Sequence, residues 1–105
     1  MIDTEMAEKA LAYLRESAAN VGVFTRQAKE KAAQVKHVEA LLIKAMDNGK
    51  LPVSLRQAYA RSDQRYFDVT TEDAIAAGEL AQLEAERDTA KIAISLYQTI
   101  VKDRL

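Results

Sequence analysis

The chain has no cysteine and no tryptophan, one proline and three glycines in 105 residues. Without cysteine there is no disulfide framework and no thiolate metal site, which fits a reducing compartment. No apolar run approaches the roughly 20 residues that span a bilayer. The first residues, Met1-Ile2-Asp3-Thr4-Glu5, lack the basic and apolar regions of a signal peptide. A cytoplasmic protein with no membrane segment is therefore expected. Few glycines and prolines also mean few breaks, and an abundance of alanine and straight-chain residues favours helix.

One stretch breaks the pattern. Asn48-Gly49-Lys50-Leu51-Pro52 interrupts a long helical sequence, and Val53 to Thr71 leads into a second one. The chain reads as one all-α domain in three parts: residues 1–48, a joint over 49–70, and 71–105. The first helix is expected over about 4–48. Asp3 or Thr4 serves as its N-cap and Asn48-Gly49 as its stop. Leu14, Val21, Ala28, Val35 and Leu42 recur every seventh residue. Leu11, Ala18, Ala32 and Met46 fill the alternate line, interrupted by Thr25 and Glu39, while Phe24, Val38, Leu41 and Ala45 widen it. Such 3-4 spacing is a coiled-coil seam. Asn20 and Gly22 are its weak place, where the helix would bend or admit another backbone.

In the joint, Pro52 starts a short helix over Val53–Arg61 that presents Leu55, Ala58 and Tyr59 on one face, and Ser62-Asp63-Gln64 breaks it. Thr70 or Thr71 then caps a second long helix over about 71–103. Its seam is Ala76, Leu80, Leu83, Arg87, Ala90, Ile94, Tyr97 and Val101, extended by Leu96 and Ile100. The expected fold is a hairpin of two long amphipathic helices with a short one between them. Two helices hide only part of such faces from each other. Phe24, Val38, Leu41, Ile92, Leu96 and Ile100 would stay wet in a single copy, so a homo-oligomer is expected. Leu14, Val21, Phe24, Val35, Leu42, Leu83, Ile94, Tyr97 and Val101 are its candidate interface.

Groups for chemistry are scarce. His37 is the only histidine and has no acid at ligand spacing on its face, so it reads as structural. Glu84 and Asp88 share a helix face but lack the histidine partners of a carboxylate metal site. No catalytic residue, metal ligand or cofactor is expected, and the chain does not read as an enzyme. Charge is the informative feature. Net charge is −1, yet residues 26–66 carry nine Lys/Arg and four Asp/Glu, and the remainder is acidic. Three of the six aromatics, Tyr59, Tyr66 and Phe67, interleave there with Arg56, Arg61 and Arg65. Cations attract phosphates and aromatic faces stack on unpaired bases, so Lys50, Arg56, Tyr59, Arg61, Arg65 and Tyr66 are candidates for contacting single-stranded nucleic acid. Arg26, Lys29, Lys31 and Lys36 extend the basic track.

Three segments carry a family resemblance. The first helix ends Lys44-Ala45-Met46-Asp47-Asn48-Gly49, and the joint reads Ala58-Tyr59-Ala60-Arg61-Ser62-Asp63-Gln64-Arg65-Tyr66. The last helix closes Ile94-Ser95-Leu96-Tyr97-Gln98 with Lys102-Asp103-Arg104. In this order they resemble small helical bacteriophage proteins encoded among DNA-recombination genes, and are remotely similar to the UvsY-type recombination mediator family. The resemblance implies a multimeric assembly that binds single-stranded DNA and helps load a recombinase, with Lys50, Arg56, Arg61 and Arg65 facing the DNA. The alternative is a structural or adaptor protein that docks another protein through its apolar helix faces, without nucleic acid.

Overall fold

The computed structural model describes residues 4–46 and 51–104. It holds α1 (Thr4–Ala45), α2 (Val53–Arg61) and α3 (Gln64–Asp103), and no strand among the described residues. The two long helices pack against each other with the short one between them, as the heptad spacing requires. No described helix is long and apolar enough to cross a membrane. The Asn48-Gly49 stop, Lys50 and the Asp3 cap lie outside the described residues. The fold divides into two compact units, one of residues 1–24 with 79–105 and one of residues 25–78.

In the first unit the helices run antiparallel. Thr4 Oγ1 lies 3.0 Å from the Tyr97 hydroxyl, and the Tyr13 hydroxyl donates to Glu86 at 2.8 Å. That bond, and the charge of Glu86, raise the Tyr13 pKa above its ordinary value. Ala7, Ser17, Leu83 and Ala90 form the buried line, with Leu14, Val21, Phe24, Leu80, Ile94 and Tyr97 half-buried around it. Among the described residues no large side chain is fully buried. Alanine at the contact lets helix axes approach closely but removes little apolar area from water per residue.

The seam departs from expectation on one side of α1. The line through Leu14, Val21, Ala28, Val35 and Leu42 points inward as predicted. Its companion line is Ala10, Ser17, Phe24, Lys31 and Val38, one residue earlier than Leu11, Ala18, Thr25, Ala32 and Glu39. Leu11, Ala18 and Ala32 are exposed. Sequence spacing disfavours Ser17 and Lys31 because burying an unpaired polar group costs about 1–3 kcal/mol. Both are paired. Ser17, only 5% exposed, donates to the Tyr13 carbonyl at 2.6 Å and accepts from Arg87 Nη1 at 2.6 Å. The same nitrogen donates to the Leu14 carbonyl at 2.8 Å. Lys31 Nζ, in the second unit, reaches Glu72 at 3.0 Å. With the polar groups satisfied, the line that buries more of Phe24 and Val38 wins.

In the second unit the start of α3 is corrected. It begins at Gln64, not near residue 71, because Asp63 caps it. Asp63 Oδ1 accepts the Arg65 backbone N–H at 2.8 Å, and its carbonyl accepts from the N–H groups of Tyr66 and Phe67. Thr70 and Thr71 are not caps. Their hydroxyls donate back to the carbonyls of Tyr66 and Phe67, as mid-helix threonines do. The short helix spans Val53–Arg61 as predicted, with Pro52 at its N-cap. Its inward face is corrected as well: Arg56, Gln57 and Ala60 turn in, while Leu55, Ala58 and Tyr59 are exposed. Ala60, 1% exposed, sits just before the break at Ser62–Asp63, and its carbonyl accepts the Asp63 N–H.

α1 runs unbroken through Asn20 and Gly22, and a Cβ built at Gly22 meets nothing within 4 Å. The glycine therefore serves no close approach here, in contrast to the expectation. Gly22→Ala should stabilise the protein by about 1 kcal/mol, read as a raised thermal midpoint by circular dichroism. The polar layer gives a second test. Arg87→Ala should cost about 1.5–3 kcal/mol and Ser17→Ala less, and a double-mutant cycle in urea should return a coupling near 1 kcal/mol. Additive losses would mean that the 2.6 Å bond contributes nothing to stability.

Candidate nucleic-acid interface

Every cation of the basic stretch belongs to the second unit, together with Tyr59, Tyr66 and Phe67. Folding also brings in Asp68, Glu72 and Asp73, so nine Lys/Arg meet seven Asp/Glu within the unit. The excess positive charge is smaller than the linear stretch suggests.

The arginines of the joint are largely committed to the chain itself. Arg65 folds back on the Asp63 cap. Its Nε reaches Oδ1 and its Nη2 reaches Oδ2, each at 3.0 Å, a two-pronged pair of the strong charge-assisted kind. The side-chain bonds from Arg65, and then its backbone N–H, hold the Asp63 carboxyl down from 3.8 to about 2, and the Arg65 pKa is raised in return. Arg61 Nη2 lies 3.4 Å from Glu39 Oε1 and remains largely exposed. Arg56 is half-buried on the inward face of α2. Lys50 lies outside the described residues. Among the aromatics, Tyr66 is half-buried, whereas Tyr59 and Phe67 are 54% and 62% exposed, leaving ring faces open to solvent.

On the first helix the structure keeps Arg26, Lys29 and Lys36 of the expected track, adds Lys44 and removes Lys31. With the seam of α1 fixed, Arg26, Lys29, Lys36 and Lys44 fall on its outward side, and all four are exposed. Arg26 pairs loosely with Glu30 at 3.8 Å, both side chains being well solvated. Such an exposed pair contributes little and exchanges readily for another anion. Lys29 and Lys36 stand two turns apart, about 10.5 Å along the axis. Part of this grouping was present in the sequence: Lys29 and Lys36 each follow a residue of the inward line, Ala28 and Val35, by one position. Lys31 is drawn out of the track because it faces Glu72 in the seam.

Other candidates are dispersed. His37 is exposed on α1, and no group of three or more His, Cys, Asp or Glu converges among the described residues. The candidate oligomer residues are taken up by the chain's own helix packing: Leu42 and Leu83 are buried, and Leu14, Val21, Phe24, Val35, Ile94 and Tyr97 are half-buried. Of that set only Val101 is exposed. The large apolar side chains left open are others, among them Leu41, Val53 and Ile75 in this unit and Leu11, Ile92 and Leu96 in the first.

No family model, curated protein or solved structure matches the chain. Function therefore rests on the residues.

The Asp63 cap makes a pH prediction. Its carboxyl is depressed in the folded state, so its stabilisation is full above the unfolded value near 4 and is lost as pH falls toward about 2. Asp63→Ala should lower the thermal midpoint at pH 7, and the gap between variant and parent should narrow below about pH 4 and close only as pH falls through about 2. A gap that persists unchanged in acid would assign the effect to something other than the ionised cap.

Proposed function

We propose that this chain is a non-catalytic accessory protein that binds single-stranded nucleic acid and works as an assembly of copies in the cytoplasm. The observation that carries this reading is the outward side of α1, where Arg26, Lys29, Lys36 and Lys44 are exposed with one acid, Glu30, among them. Cations so arranged neutralise successive phosphates and release condensed counterions, which drives association without reading sequence. Tyr59 and Phe67, exposed in the same unit, supply faces on which unpaired bases stack. Arg61 and Arg65 contribute less, since each must exchange a carboxylate for a phosphate. The recombination setting, with single-stranded DNA as ligand and a recombinase or another phage protein as partner, comes from the resemblance to the UvsY-type mediators.

A second reading is favoured by a separate observation. Leu41, Val53 and Ile75 are open to solvent in the same unit. An adaptor that docks a protein through apolar side chains would need no nucleic acid.

Fluorescence anisotropy with a labelled oligothymidylate separates the two. Binding should weaken with salt on a log–log slope near −2 to −3, that is about −0.7 for each of three or four phosphates. Lys29→Ala and Lys36→Ala should each make the slope shallower by roughly 0.7, whereas Arg65→Ala should change it less. No binding at low salt by a chain of native helicity would remove the nucleic-acid reading. A pull-down partner insensitive to nuclease would then support the adaptor.

A further inference from the structure

In the first unit the backs of the two helices differ. Opposite its seam, α1 carries Glu5, Lys9 and Glu16, an ordinary charged face. Opposite its own seam, α3 carries Gln82, Ala85, Thr89, Ile92, Leu96 and Thr99, all exposed and none charged. Ile92 is 60% exposed and Leu96 is 49% exposed. This row extends about 26 Å along the helix.

Its hydroxyl hydrogens are already satisfied within the helix. The Thr89 hydroxyl donates to the Ala85 carbonyl at 3.0 Å, and the Thr99 hydroxyl donates to the Ser95 carbonyl at 3.1 Å. The Gln82 amide donates to Glu86 at 3.2 Å. Covering the row therefore strands no hydroxyl hydrogen, and the apolar part of each threonine adds to the surface of Ile92 and Leu96. A helix surface without charge over this length is an association surface.

We propose that this face binds the same face of a second copy, with the two α3 helices antiparallel. Two features select that occupant. The first is charge. From 79 to 90 the helix carries Glu79, Glu84, Glu86 and Asp88 against Arg87; from 91 to 104 it carries Lys91, Lys102 and Arg104 against Asp103. A parallel pair sets acidic half on acidic half. An antiparallel pair sets each acidic half beside a basic one, bringing Glu79 level with the partner copy's basic end. The second feature is shape. A twofold axis midway between Thr89 and Ile92 sets Ala85 of each copy against Leu96 of the other, small against large, and Gln82 against Thr99. Such a contact is self-complementary and closes at two copies. One helix-on-helix row is smaller than the roughly 800 Å² per partner of a standard interface, so dissociation on the order of 10 μM is expected.

This inference rests on the self-association part of the proposed function alone, and its test contains no nucleic acid. Sedimentation equilibrium of the full chain should show a monomer–dimer equilibrium. Ile92→Glu with Leu96→Glu should weaken it at least ~10-fold with unchanged helicity, both sites being solvent-exposed. Ala12→Glu, on the back of α1, should leave it unaltered. Because the chain has no cysteine, orientation can be read directly. Thr99→Cys mixed with Gln82→Cys should cross-link on oxidation, and Thr99→Cys alone should not. A parent chain that stays monomeric at about 500 μM, well above the expected range, would overturn the proposal. So would association indifferent to the double substitution, or Thr99→Cys linking to itself as fast as to Gln82→Cys.

Discussion

Arg87 stands in the middle of an apolar seam, and the first unit depends on how that charge is accommodated. Its guanidinium ends on the Leu14 carbonyl and the Ser17 hydroxyl, and the Ser17 O–H in turn donates to the Tyr13 carbonyl. Hydrogen bonds to a charged donor contribute about 1.5–3 kcal/mol each, and leaving such a donor unmatched costs more. Sliding either helix by one residue would break both bonds from Arg87 at once. Apolar contacts among alanines tolerate such a slip, since one methyl group replaces another at little cost. The polar layer thus sets the register that the alanine-rich seam leaves loosely specified.

The same economy explains the second unit. Asp63 caps α3, and Arg65, two positions on, clamps the capping carboxylate. Lys31 enters the seam because Glu72 meets it. Charges that a linear reading assigns to a partner are used to start a helix and to fix a pairing. The exposed cations on the outward side of α1 make no cross-helix pair among the described residues. Position relative to the seam, not closeness to the aromatic joint, therefore decides which basic residues the fold itself engages.

A thin seam has a consequence for the rest of the molecule. Ala7, Ala60, Ala76 and Ala90 make up most of the buried residues, and at roughly 25 cal/mol per Å² an alanine side chain adds little. Larger side chains such as Ile92, Leu96, Leu41 and Phe67 are left outside. Association through such residues removes from water the area that the internal packing does not, which links the narrow helix–helix contact to the uncharged back of α3.

Helical class, three elements, the limits of α2 and the inward line from Leu14 to Leu42 were legible in the sequence. Each follows from local propensity or from a seven-residue repeat, both of which one helix possesses by itself. The start of α3, the companion line of α1 and the inward face of α2 were not. Thr70 and Asp63 are both good caps in isolation, and Ser17 looks like a worse core residue than Ala18. The folded structure decided these points: Arg65 closes on Asp63 in the first turn of α3, Arg87 reaches Ser17 across the seam, and Ala60 is buried just before the break at Ser62–Asp63. In each case the deciding partner is a residue that spacing alone does not single out: a neighbour two positions on, a turn of the chain, or a helix some seventy residues away.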